Sequence, residues 1–185
     1  MLLLVAVQVE IRVRDAIKGY GVSATVEVDG RKYNADNGRL RIDLDGGKHR
    51  IKAYAEGYFP IEGEITVRRG GPPAYEFFLQ PRQVSPPPEG KKGYAVWYGW
   101  VVDSLTLKPV AGVNVEAKVK WGIFKTVTDT SGYYTLTIPI PEEKDVPLNV
   151  TVRFYREGYG DVVKEIAPLM EGVYRLNVDV PPAGK

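Results

Sequence analysis

The chain is predicted to be all-β, folded as two antiparallel β-sandwiches in tandem, on three observations. Apolar and polar residues alternate with period two in both halves, clusters of Gly, Asp and Asn interrupt the alternation at short intervals, and no stretch has a helical period. The total of 185 residues suits two domains of roughly 90 residues each.

The first strand is expected where Val7, Val9, Ile11 and Val13 alternate with Gln8, Glu10, Arg12 and Arg14. Upstream of it, Leu2, Leu3, Leu4 and Val5 are apolar on both strand faces. A strand apolar on both faces must be covered. A lid from the second domain would do this, and so would insertion into a neighbouring subunit's sheet by strand addition; an ordinary first strand with a frayed start needs neither. No basic residue precedes the apolar run, as a secretory signal requires, and the run is too short to span a bilayer.

Further strands of the first half follow the same rule: Val22 to Val28, Leu40 to Leu44, Ile51 to Ala55, Ile65 with Val67, and Tyr75 to Leu79. The stretches "VDGRKY", "ADNGR", "LDGGKH" and "RRGGPP" read as the turns between them. "QPRQVSPPPEGKKG", Gln80 to Gly93, holds four of the chain's 14 prolines and reads as a stiff spacer. The expected division is therefore a sandwich over 1–80, a Pro-rich linker over 81–93 and a second sandwich over 94–185.

In the second half the strands are expected at "YAVWYGWVVD", at Val113 to Trp121, at Leu136 to Ile140, at Leu148 to Phe154 and at Tyr174 to Val180. The halves also rhyme. "DNGRLRIDL" stands where "DTSGYYTLTI" stands later, and "IKAYAEGY" is matched by "VRFYREGY". Duplication of one small domain accounts for this, with each Gly-Tyr marking a strand end where a ring folds back over the core edge.

"GWVVDSLTLKPVAGVNVEA", "TVTDTSGYYTLTIP" and "REGYGD" together resemble the carboxypeptidase regulatory-like domain, a transthyretin-like and broadly immunoglobulin-like β-sandwich. Gly99, Val101, Asp103, Pro109, Gly132 and Tyr159 are among the residues that carry the resemblance. The first half, with "VEVDGRKY" and "LDGGKHRIKAYAEGY", is similar to PEGA-type modules of the same class. The resemblance implies architecture rather than chemistry: non-catalytic accessory modules, surface stalks and envelope components. The hydroxyisourate hydrolases of this fold depend on several histidines and a C-terminal tetrapeptide, whereas this chain has one His and ends "VPPAGK".

Composition narrows the function classes. A net charge of +2 with interspersed signs lacks the basic stripe of a nucleic-acid binder. The absence of cysteine removes disulfides, thiolate metal sites and a thiol nucleophile. Few amide and sulfur side chains beside much Arg, Glu, Val and Pro fit a thermophilic source. His49, beside the Gly46-Gly47 turn, is expected as an edge-of-core residue, with no nucleophile motif near it. Asp43 and Asp45, with Asp29 and Asp36 in other loops, lack calcium-loop spacing. No catalytic residue, cofactor site or metal site is expected. Asn149-Val150-Thr151 is a glycosylation sequon.

The opening stretch of the second half carries the sharpest signal. With Trp97, Gly99 and Val101 facing the core, Val96, Tyr98, Trp100 and Val102 fall on the outer side, where polar residues belong. An apolar outer stripe marks an interface. Packing against the first domain, contact with another subunit and carbohydrate stacking with Trp121 and Tyr133 remain open as explanations. The expected function is a non-catalytic structural subunit of an extracellular filament, surface layer or virus-like assembly, self-associating or binding another structural protein. The alternative is a polysaccharide-binding or accessory module of a secreted protein.

Overall fold

A computed structural model describes residues 6–142 and 149–184. Leu2, Leu3 and Leu4 of the expected interface lie outside the described residues. The chain divides into two compact units, Met1–Val84 and Ser85–Lys185, a cut inside the Pro-rich stretch. All described regular elements are strands.

The first unit contains β1 (Val7–Asp15), β2 (Ala24–Val28), β3 (Arg31–Ala35), β4 (Arg39–Leu44), β5 (Gly47–Tyr54), β6 (Ile61–Val67) and β7 (Tyr75–Leu79). They form a sheet β4-β1-β7 and a sheet β3-β2-β5-β6. Between the sheets lies a core of Ile11, Val13, Val26, Ile51, Ala53 and Leu79, all fully buried, with smaller neighbours. Alternation thus does what it should, setting one face of each strand inward.

The second unit contains β8 (Tyr94–Asp103), β9 (Asn114–Val119), β10 (Gly122–Val127), β11 (Tyr133–Pro139), β12 (Val150–Tyr155), β13 (Val162–Ile166), β14 (Gly172–Arg175) and β15 (Val178–Val180). Its sheets are β11-β8-β14, with β15 also on β8, and β10-β9-β12-β13. Val101, Val113, Val115, Ile138 and Phe154 form its fully buried centre, with Tyr134 edge-on to Phe154 at 5.6 Å.

Each unit departs from pure antiparallel pairing once. β7 runs parallel to β1, and β14 and β15 run parallel to β8. In both cases the final segment crosses from the opposite sheet and enters from the same end as the first strand, so a hairpin is not available to it. The expected single strand Tyr174 to Val180 is also broken. The Leu176 carbonyl presses so closely on Gly99 that a Cβ there would stand 2.0 Å from its oxygen.

The two units repeat one set of hydrogen bonds. Asp15 accepts the Ile17 and Lys18 amides at 2.7 Å, and Asp103 accepts the Leu105 and Thr106 amides at 2.8 Å. The Tyr58 hydroxyl donates to Asp15 at 2.8 Å, and the Tyr159 hydroxyl to Asp103 at 3.3 Å. Both carboxylates are buried, so these hydrogen bonds satisfy groups that would otherwise be costly. The Gly57-Tyr58 and Gly158-Tyr159 pairs therefore bring a ring back to close the turn after the first strand, with both glycines at positive φ.

Candidate assembly interface

β8 is the central strand of its sheet and carries the outer-face residues singled out by the sequence. Trp97, Gly99 and Val101 are buried on the core side as expected, and Ala95 with them. Val96 and Val102, expected on an exposed stripe, are also buried, at 4% and 1% exposure; this corrects the four-residue band. Val96 lies opposite Val173 of β14, and the end of the Pro-rich stretch reaches Val173, since a Cβ on Gly90 would meet its methyl at 3.2 Å. Val102 is bridged to Pro109 across the turn that follows. The Pro-rich segment is therefore not a spacer throughout: Lys91 also sits over the Tyr94 ring at 4.3 Å.

Tyr98 and Trp100 remain half-exposed. Trp100 is opposite Tyr133 of β11, and their rings are 5.1 Å apart and tilted by 52°. Tyr98 meets Trp100 edge-on at 6.3 Å and 75°. The Thr135 hydroxyl donates to Tyr133 at 3.0 Å. Asn177 accepts the Trp100 amide at 3.1 Å, which ties the strand under the cluster to the segment between β14 and β15. Three rings held at mutual angles present an uneven apolar relief rather than a flat plane. On the other sheet, edge strand β10 exposes Ile123 and Val127 on either side of Lys125, which pairs with Glu116 at 2.8 Å. Trp121, expected as a helper in carbohydrate stacking, packs against the core and donates its indole N–H to the Pro139 carbonyl at 3.0 Å. Asn149 is exposed at the start of β12.

His49 is the chain's one histidine. Asp29, Arg31, Tyr33, Asp43, Asp45 and His49 line a half-open surface pocket of about 360 Å³ with Val28 and Leu44. The imidazole spans two turns: Nδ1 donates to the Asp29 carboxylate at 2.7 Å and Nε2 donates to the Asp45 carbonyl at 2.8 Å. Asp29 also accepts the Arg50 amide at 2.9 Å. Two acceptors demand two ring protons, so the geometry calls for the imidazolium. The pocket lining includes no Ser, Thr, Cys or Lys to serve as nucleophile. Asp36 lies apart from it, lining a different pocket with Ser23, Asn34 and Tyr54. Among the described residues no three His, Cys, Asp or Glu are grouped to hold a metal ion.

Burial by itself would lower the His49 pKa, but the Asp29 carboxylate and the Asp45 carbonyl outweigh it and raise it above 6.5. The stabilisation is then fully present below the unfolded value near 6.5 and is lost as pH rises through the folded pKa. The first unit should melt at a lower temperature on going from pH about 6 to about 9, and His49→Asn should flatten that slope. An unchanged slope in the variant would remove His49 as its cause.

No protein-family model matches the chain, and no curated protein matches it. Among solved structures, the TIE protein of Bacillus anthracis is similar at 16% identity and TM-score 0.38, over 96% of this chain and 34% of that one. This chain therefore spans about a third of the length of that protein. A minor pilin of Streptococcus agalactiae aligns at 12% identity and TM-score 0.36, covering 96% and 97% of the two chains. The shaft pilin SpaA of Lactobacillus rhamnosus GG aligns at 11% identity and TM-score 0.35, covering 98% and 100%. No helix among the described residues is long and apolar enough to cross a membrane.

Proposed function

We propose that the chain is a non-catalytic structural subunit of an extracellular or cell-surface assembly, built from two copies of one regulatory-like sandwich. The observation that carries the reading is the half-exposed cluster of Tyr98 and Trp100 on β8 with Tyr133 on the neighbouring β11. Aromatic rings are enriched at the centres of protein interfaces, where they contribute large buried area from few rotatable bonds. Charged outer faces elsewhere, such as the Lys48–Glu64 and Lys52–Glu62 pairs on β5 and β6, keep that face of the first unit soluble. The mutual tilt of the rings favours a protein partner over a sugar, which stacks on a flat exposed ring.

Light scattering across protein concentration tests the reading. Particles larger than one chain are expected, and Trp100→Ser should weaken the association roughly tenfold or more, the effect of losing an aromatic anchor. A monodisperse single chain at every concentration, or a variant that assembles as well as the parent, would end the proposal. Retention on a polysaccharide gel that Trp100→Ser abolishes would favour the accessory-module alternative.

A further inference from the structure

The two units differ at one place in their shared plan. In the second, β14 lies alongside the first half of β8, with Gly172 to Arg175 opposite Ala95 to Tyr98. Tyr174 stacks on Trp97 at 4.9 Å. Aligning the units on Tyr58 with Tyr159 and Leu79 with Val180 sets Gly71-Pro72-Pro73-Ala74 against that strand. Pro72 and Pro73 have no N–H to donate and cannot build the same ladder. Both are exposed, whereas Val173 and Tyr174 are partly covered. Pairing of β7 with β1 accordingly begins only at Tyr75 opposite Ile11. Among the described residues no strand pairs with Val7 to Glu10 on the edge away from β4. Val7 is half-buried there, while its counterpart Ala95 is fully buried.

We propose that this open edge of β1 is a docking lane for the same strand of a second copy, paired antiparallel about a twofold axis at Ala6. The proposal rests on the reading of the chain as a self-associating subunit. An unpaired strand edge is a template for another strand, and the sequence supplies one. The apolar phase of Val7, Val9, Ile11 and Val13 continues upstream through Val5 and Leu3, residues outside the described range. Only Ala6 separates Val5 from Val7, too little chain for a turn, so this run cannot serve its own lane.

Opposite residues of an antiparallel pair face the same side. With Ala6 on the axis, Val5 stands opposite Val7 of the second copy and Leu3 opposite its Val9, both on the core side. Leu4 and Leu2 stand opposite its Gln8 and Glu10. Each copy fills the lane of the other, an isologous contact. One further residue would set Met1 against Ile11, where Tyr75 already pairs, so this register is the longest that the lane admits.

The chain has no cysteine, so Ala6→Cys introduces a single thiol. Facing Cα atoms about 4.5–5.5 Å apart across the axis are within disulfide reach. Ala6→Cys is expected to oxidise to a dimer at least about tenfold faster than Lys32→Cys, an exposed control on edge strand β3, because pairing raises the effective thiol concentration. The Gln8 and Glu10 amides, which point away from β4, should exchange more slowly at high concentration than when dilute, and deletion of residues 1–5 should abolish the difference. Equal oxidation rates, or lane amides indifferent to concentration, would overturn the lane. If the chain still assembles in that case, the subunit reading stands without it. A dimer linked through Ala6→Cys that grows no further and ignores Trp100→Ser would keep the lane and sink the larger assembly.

Discussion

Gly38→Ala is expected to unfold the first unit, and Gly132→Ala to damage the second in the same way. Gly38 sits at φ +75°, and a Cβ there would stand 2.2 Å from the Val13 oxygen, 2.6 Å from the Gly21 Cα and 2.8 Å from the Val22 nitrogen. All three are backbone atoms, so no side chain can swing aside. The Gly38 carbonyl also accepts the Val13 amide at 2.8 Å, which fixes the turn against the first strand. Gly132 repeats the arrangement at φ +74°, with a Cβ 2.6 Å from the Val101 oxygen and its carbonyl accepting the Val101 amide at 2.9 Å. A clash of this kind combined with left-handed strain should cost about 4 kcal/mol or more, a large part of the stability of a small domain. Calorimetry should show one transition lost or strongly lowered in each variant, a different one in each case. Gly30→Ala is the control: φ is +85° but nothing lies within 4 Å, so only strain of about 1 kcal/mol is expected. If Gly38→Ala melts like Gly30→Ala, the close approach is not what holds this turn.

These glycines were legible as turn residues in "ADNGR" and "DTSGYY", but their crowding was not, because the atoms that crowd them come from the first strand of each unit and from the segment that follows it. The same distinction runs through the fold. Strands with one buried face were readable from alternation. β3, β10 and β13 were not, and each is an edge strand: β10 and β13 bury none of their residues, and β3 buries only Ala35. Period two is a signature of half-burial, so an edge that buries little leaves no trace. In β8 the register was legible while the burial of Val96 was not, since its paired neighbour Val173 belongs to β14, far along the chain. His49 could be placed beside a turn, but its carboxylate partner lies twenty residues upstream.

Glu10 shows the limit most sharply, and it carries the second large effect. Alternation assigns it to the outer face of β1, beside Arg12 and Arg14, as a solvated charge. It is on that face and is nonetheless only 8% exposed. Arg12 donates to its carboxylate at 2.6 Å, Arg41 at 2.8 Å and Arg39 at 3.0 Å, the last two reaching across from β4. Arg12 also lies 3.6 Å from Glu76 on β7 and Arg14 3.5 Å from it, so the charges extend across the sheet. Burial alone would raise the Glu10 pKa, but the guanidinium groups of Arg39, Arg12 and Arg41 more than offset it and hold it at about 2, against 4.5 for a free glutamate. Arg41 is mostly exposed and contributes least, because water and salt screen it.

Glu10→Gln keeps the shape and removes the charge, leaving three guanidinium groups without their common acceptor. The shift from 4.5 to about 2 corresponds to about 3 kcal/mol of stability for the first unit at neutral pH, within the range for breaking a buried ion pair. A carboxyl with a lowered folded pKa contributes above its unfolded value and stops contributing as pH falls through the folded one. Denaturant unfolding at pH 7 should therefore separate parent and variant by that amount. The gap should start to narrow below pH about 4.5 and close near pH about 2, while at each pH the transition of the second unit is the same in parent and variant. A gap of the same size at both ends of that range would mean that Glu10 acts through packing alone, and the charge cluster on β1 and β4 would have to be read as a solvated surface after all.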